Sequence, residues 1–219
     1  MQPTPEAGNW LIEAFKGGGW GMIPIALCMV FVILIVLERF STLKRVSVDK
    51  KDFNEKLFGL ILRGDVRQAI TYCDGRPAPL TNTLKAGLVQ VLNKRPDEEV
   101  QVAMDGAALK EMPQVEGWTG FLAVLGNVAT LLGLLGTIVG LIHSFKAVAN
   151  VDPAQKATLL SQGIAEAMNC TAYGLIVAIP SIIFYGYFQT RINHVVNDMN
   201  ESSMNLMNLI VANRDKIKD

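Results

Sequence analysis

The chain has 219 residues, half of them hydrophobic, with a positive mean hydropathy and 20 basic against 20 acidic side chains. Length alone decides nothing, but the lack of a basic surplus argues against nucleic acid as a partner. Three scattered cysteines, Cys28, Cys73 and Cys170, offer neither metal-ligand spacing nor a disulfide framework, and His143 and His194 stand alone, which argues against an enzyme and a cofactor.

Residues 1–19 read as a short amphipathic stretch outside the membrane, with Trp10, Leu11, Ile12 and Phe15 apolar. They lack a basic n-region and carry Glu6 and Glu13 ahead of Lys16, so the span that follows is expected to be a retained anchor. GGGWG reads as a hinge and not as a dinucleotide-binding fingerprint, since no strand precedes it and no acidic ribose partner follows. The first span is expected over 20–40. Its uncharged run Gly21–Leu37 ends at Glu38-Arg39, Trp20 and Phe40 bracket it as interfacial anchors, and Pro24 lies in the first turn, where a missing N–H matters least.

Residues 41–117 read as a helical extension. Phe53, Leu57, Leu60 and Ile61 recur at helical spacing, Gly64-Asp65 and Asp74-Gly75-Arg76-Pro77 read as breaks, and Leu80, Leu84, Leu88 and Val91 form a second stripe. Pro96-Asp97-Glu98-Glu99 looks like the acidic first turn of another helix, running to about Met112.

The second span is expected over 118–145, inside 29 uncharged residues between Glu116 and Lys146. Gly126, Thr130, Gly133, Thr137, Gly140 and Ser144 follow one another at steps of 4, 3, 4, 3 and 4. Seven residues bring a helix back to within about 20° of its starting direction, so glycines line one column and hydroxyls the next. Gly136 and Gly140 add a GxxxG step. The glycines suit close helix packing. The hydroxyls either bond across a helix contact or line a polar path.

A loop is expected over 146–161, then a third span over 162–190, then a helix continuing through 191–219 to about Val211. The third span is uncharged from Ala167 to Thr190, yet Glu166 sits at its mouth with Asn169 and Thr171 just inside. Ionisable groups at such depth face a bundle interior or a water-filled cavity, unless they snorkel to the surface. Glu166, Asn169 and Tyr173 fall on one helical face within about 60°, whereas Thr171 lies about 140° from Glu166. Pro180 either kinks this helix or has its freed carbonyl satisfied locally.

The basic residues set the expected orientation. Segment 38–120 carries 13 Lys and Arg, the N-terminal tail Lys16 alone, and 144–163 only Lys146 and Lys156. The positive-inside rule puts 38–120 in the cytoplasm, the N-terminus outside and the C-terminus inside.

Taken together, GGWGMIPIALCMVFVILIVLERF, LLGLLGTIVGLIHSF and GIAEAMNCTAYGLIVAIPSIIFY resemble the three spans of the MotA/TolQ/ExbB proton-channel family, in its three-span TolQ/ExbB branch. Asn169-Cys170 and Tyr173 depart from it, standing where relatives often carry small or apolar residues. The resemblance implies an all-α membrane protein whose three transmembrane helices and cytoplasmic extension assemble as a homopentamer around a central pore. It implies a dimer of one-span ExbD/TolR-like subunits with a membrane aspartate inside that pore, a TonB/TolA-like or other effector, and H+ as the transported ion. It places the chain in the bacterial inner membrane among its lipids. By position, Thr137, Glu166 and Thr171 correspond to the family's pore-facing residues. Thr130 and Asn169 are expected beside them, with Gly126, Gly133, Gly136 and Gly140 as packing residues. The competing reading is a non-conducting membrane scaffold whose two columns hold an oligomer together.

Overall fold

The computed structural model describes residues 21–46, 50–149 and 151–214, and the expectations for residues 1–20 lie outside this range. Among the described residues there is no strand. The helices are α1 (Met22–Val46), α2 (Lys50–Leu62), α3 (Val66–Asp74), α4 (Pro79–Leu92), α5 (Asp97–Glu116), α6 (Thr119–Val148) and α7 (Pro153–Ala212). Three helical stretches long and apolar enough to cross a membrane lie in α1, α6 and α7. The chain is an all-α membrane protein.

The described residues divide into two compact units, one of 21–37 and 118–186 and the other of 38–117 and 187–214. In the first unit the apolar side chains largely face outward. Leu27, Phe31, Leu131, Ile138, Ile179 and Ile183 are all exposed, the distribution expected where lipid or another membrane helix replaces water. Besides Met22, Ile25 and Leu122, the residues turned inward include many small ones, Ala129, Gly133, Ala167 and Cys170 among them, which let helices approach closely where no hydrophobic driving force separates core from surroundings.

The second unit has a water-soluble kind of core. Phe53, Leu57 and Ile61 of α2, Leu84 and Leu88 of α4, and Val100 and Met104 of α5 are buried in one cluster with Met199, Leu206 and Ile210 of α7. Both stripes read from the sequence lie in it, with Leu60 only partly buried. The short helices are set by local chemistry. Asp65 Oδ1 accepts the Gln68 N–H at 3.1 Å and caps α3. Pro79 opens α4, and the fully buried Thr81 hydroxyl accepts the Ala78 N–H at 2.8 Å. Asp97, Glu98 and Glu99 occupy the first turn of α5, where carboxylates complement the helix dipole. Gly117, at φ +44°, ends it. Cys73 is a buried free thiol of this core, pushed up to about 12 chiefly by its burial.

Two boundaries differ from the sequence expectation. Helix α5 continues to Glu116 rather than stopping near Met112, since Pro113 lies in the last turn and its fixed φ is compatible with the helix already formed ahead of it. Most of the segment expected as a loop, 146–161, is helical. Helix α6 runs to Val148, and α7 starts at Pro153, where Asp152 Oδ1 accepts the Ala154 N–H at 3.5 Å. Helix α7 then continues without a break to Ala212, past Pro180 and both expected boundaries of the third span.

Candidate functional site

Within the first unit, α6 and α7 meet along a seam of small residues. A Cβ added at Gly140 would lie 2.9 Å from the Ala167 Cβ, and one at Gly136 2.7 Å from the Cys170 Cβ. At Gly133 it would lie 3.0 Å from the Cys170 carbonyl oxygen and 3.3 Å from the Gly174 Cα, and at Gly126 3.2 Å from the Ser181 Cβ. As the α6 number falls the α7 number rises, so the helices run antiparallel with backbones in near contact. Gly21, just before α1, joins the seam, its own Cβ position lying 3.5 Å from Cys170 Sγ and 3.6 Å from the Gly136 Cα.

The α6 half of this seam is visible in the sequence as a column of glycines, whereas the α7 half escapes a reading by residue type. The signal was there: Gly163, Ala167, Cys170, Gly174 and Ser181 follow at steps of 4, 3, 4 and 7, the same heptad as the glycines opposite. It is hidden because one of its members is a cysteine and two are alanine and serine, so no single residue type repeats.

The hydroxyl column has a specific local role. Thr130 donates to the Gly126 carbonyl at 3.1 Å, and Ser144 to the Gly140 carbonyl at 2.8 Å. Thr137 lies 3.3 Å from the Gly133 carbonyl oxygen and 2.6 Å from that of Leu134. Each hydroxyl thus turns back to the glycine four residues before it, the back-bond open to Ser and Thr within helices. Gly-x-x-x-Ser/Thr, repeated three times, is the sequence signature of that arrangement.

Thr137 also bonds across to α7, and Ser144 packs against Gly163 there. Thr137 Oγ1 lies 3.2 Å from Thr171 Oγ1, and Thr171 donates to the Gly133 carbonyl at 3.1 Å. Four contacts therefore converge on two hydroxyls, and two hydroxyls own only two hydrogens. Lone pairs are in surplus and hydrogens in deficit, so the pair can accept a hydrogen bond from a third group. Both threonines are half-buried, neither sealed off nor on the open surface.

The remaining expected residues do not converge on this point. Glu166 is exposed, with no ion-pair partner among the described residues, and Asn169 is half-buried one turn closer to Thr171. Thr130 is exposed and bonded within its own helix. At Pro180 α7 stays helical, and the buried Ser181 hydroxyl donates to the Val177 carbonyl at 2.6 Å. Among the described residues no cluster of three or more His, Cys, Asp or Glu could hold a metal ion.

A family profile described as the MotA/TolQ/ExbB proton channel family matches residues 76–201. The chain is 28% identical over 182 residues to the Tol-Pal system protein TolQ of Pseudomonas aeruginosa, covering 78% of this chain and 77% of that one. It is 26% identical over 212 residues to the biopolymer transport protein ExbB of Pseudomonas putida, covering 90% and 64%. To the biopolymer transport protein exbB1 of Vibrio cholerae it is 28% identical over 165 residues, covering 73% and 70%.

Proposed function

Because this chain belongs to the MotA/TolQ/ExbB proton channel family, we propose that it is the multi-span subunit of an inner-membrane motor. The motor couples the proton motive force to mechanical work in the cell envelope, of the Tol-Pal, TonB-dependent import or gliding type. The observation that carries this reading is the Thr137–Thr171 hydroxyl pair over the Gly133 carbonyl, which has acceptor capacity to spare inside an apolar bundle.

The mechanism follows from that surplus. A carboxyl on a partner helix is neutral when protonated and can donate to the pair. When ionised it carries a charge that this proton-poor site does not welcome, and it moves toward a face that solvates it. Each proton crossing the potential supplies about 2.3 kcal/mol per 100 mV. Five copies of the chain around two one-span ExbD/TolR-like helices would present such a pair repeatedly, so successive transfers rotate one part against the other. Glu166, exposed at the outer mouth, supplies acceptor capacity at the entrance, with Asn169 between it and the threonines. The apolar outer faces of α1, α6 and α7 support burial against lipid and neighbouring copies. The excess of Lys and Arg in 38–120 supports a cytoplasmic second unit, with the N-terminus outside and the C-terminus inside.

Proton uptake by liposomes holding the chain together with its one-span partner is the test. Thr171→Val and Glu166→Ala each lower coupled flux while the assembly persists. Unchanged flux in both would favour the non-conducting scaffold.

A further inference from the structure

The second unit contains a groove of about 610 Å³ lined by Phe40, Lys44, Tyr187, Phe188, Arg191 and His194, among others. Its floor is aromatic. Phe40 stacks on Tyr187 with ring centroids 6.0 Å apart and meets Phe188 edge-on at 5.4 Å. Its rim is cationic. The Arg191 guanidinium lies 5.6 Å from the Tyr187 ring centre, and Lys44 has no ion pair among the described residues. The single acidic group of the lining, Asp198, is engaged by Lys50 at 3.0 Å, so the groove offers positive charge without a matching anion.

In sequence, apolar residues precede these groove residues on both α1 and α7. On α1, Val30, Ile33, Leu37, Phe40 and Lys44 follow at steps of 3, 4, 3 and 4, and the first four are exposed. On α7, Ile183, Tyr187, Arg191 and His194 follow at steps of 4, 4 and 3. Along each helix the order is aliphatic, aromatic, cationic. That is the order of a phospholipid from acyl chain through interface to phosphate. No proton-relay role uses any of these residues.

We propose that this groove binds the phosphate headgroup of an anionic phospholipid. Lys44 and Arg191 engage the phosphate, His194 donates a hydrogen bond, and the Phe40 and Tyr187 rings meet the lipid next to its headgroup. The site requires that α1 and α7 cross the membrane but is independent of the proton route, so flux and lipid retention report on separate readings.

The test uses the full chain reconstituted in equal parts phosphatidylglycerol and phosphatidylcholine, extracted in mild detergent, with retained lipid measured by mass spectrometry. The wild type retains phosphatidylglycerol preferentially. Lys44→Gln and Arg191→Gln each cut that preference roughly fivefold, as the loss of one interfacial cation should, whereas Lys44→Arg keeps it. Lys44 is exposed, so its variants report even if the Arg191 change perturbs folding, which circular dichroism would reveal. The proposal is overturned if Lys44→Gln retains the wild-type preference. It is equally overturned if inorganic phosphate in lipid-free detergent protects the chain from unfolding as well as the lipid does. Cross-linking from Lys44 to a second copy, with no lipid retained, also overturns it.

Discussion

The hydroxyl oxygens of Thr137 and Thr171, 34 residues apart in the chain, lie 3.2 Å apart across the α6–α7 seam, and both reach the one carbonyl of Gly133. There are two hydrogens for four contacts, and either hydroxyl can be the donor in the contact between them. The pair should therefore behave as a unit. Thr137→Val and Thr171→Val are each expected to lower coupled proton flux about tenfold, the equivalent of one hydrogen bond. The double variant should be little worse than either single one, because both remove the same interaction. Serine at either position keeps the hydroxyl and most of the flux. Fully additive losses in a double-mutant cycle would show that the two side chains act separately.

The seam predicts opposite outcomes for chemically identical substitutions. Gly133→Ala places a methyl against backbone atoms of Cys170, Thr171 and Gly174, and Gly174→Ala places one 2.7 Å from the Ala129 carbonyl oxygen. Backbone cannot swing aside, so each change should destabilise by ~1–3 kcal/mol, as overpacking does. Gly59 and Gly106 lie inside helices with nothing within 4 Å of a new Cβ. There the alanine variants should gain up to about 1 kcal/mol from helix propensity. Thermal melting in detergent of the four single variants would separate the two classes.

In the C-terminal half of α1, Arg39 is only 3% exposed and donates to the Val115 carbonyl at 3.3 Å and to that of Gln114 at 3.5 Å, while Glu38 takes its other nitrogens at 2.6 Å. It thereby satisfies carbonyls that the end of α5 leaves open. Gly117 leaves room for it, since a Cβ there would collide with the guanidinium. Arg39→Gln should cost ~1–3 kcal/mol, and Arg39→Lys should not fully restore it, because an ammonium lacks the planar fork. Gly117→Ala should be at least as damaging, combining that collision with a φ of +44°. Melting temperatures near wild type for all three would refute the clamp.

Lys50 of α2 bonds to Glu201 and Asp198 of α7, and Glu201 first, then Asp198, raise its ammonium above the ordinary lysine value. A raised folded value contributes stability that is full below the unfolded value, about 10.4, and is lost as pH climbs through the folded one. The melting-temperature gap between wild type and Lys50→Met should therefore hold steady from neutral pH to about pH 10 and close above it. A gap that widens in alkali would contradict the sign of this coupling. The buried Asn54–Ser202 bond beside it, at 2.8 Å, should leave the two helices docked throughout.

Much of this was legible in the chain itself. Uncharged runs of span length are written in residue order, so α1, α6 and α7 could be found by reading along. The heptad of glycines and hydroxyls is likewise a periodicity within one helix, and so are the stripes Phe53–Leu57–Ile61 and Leu84–Leu88 that became the core of the second unit. What a single helix cannot encode is which neighbour it meets and at what height. The angle between Glu166 and Thr171 on an isolated helix gave no common target for the two. Only the antiparallel register of α6 against α7, set by backbone approach at Gly133 and Gly140, brought Thr171 to Thr137 and left Glu166 apart. Hydrophobicity and period are properties of a sequence. A hydrogen bond between helices is a property of distance, and distance was fixed by where glycine let two backbones touch.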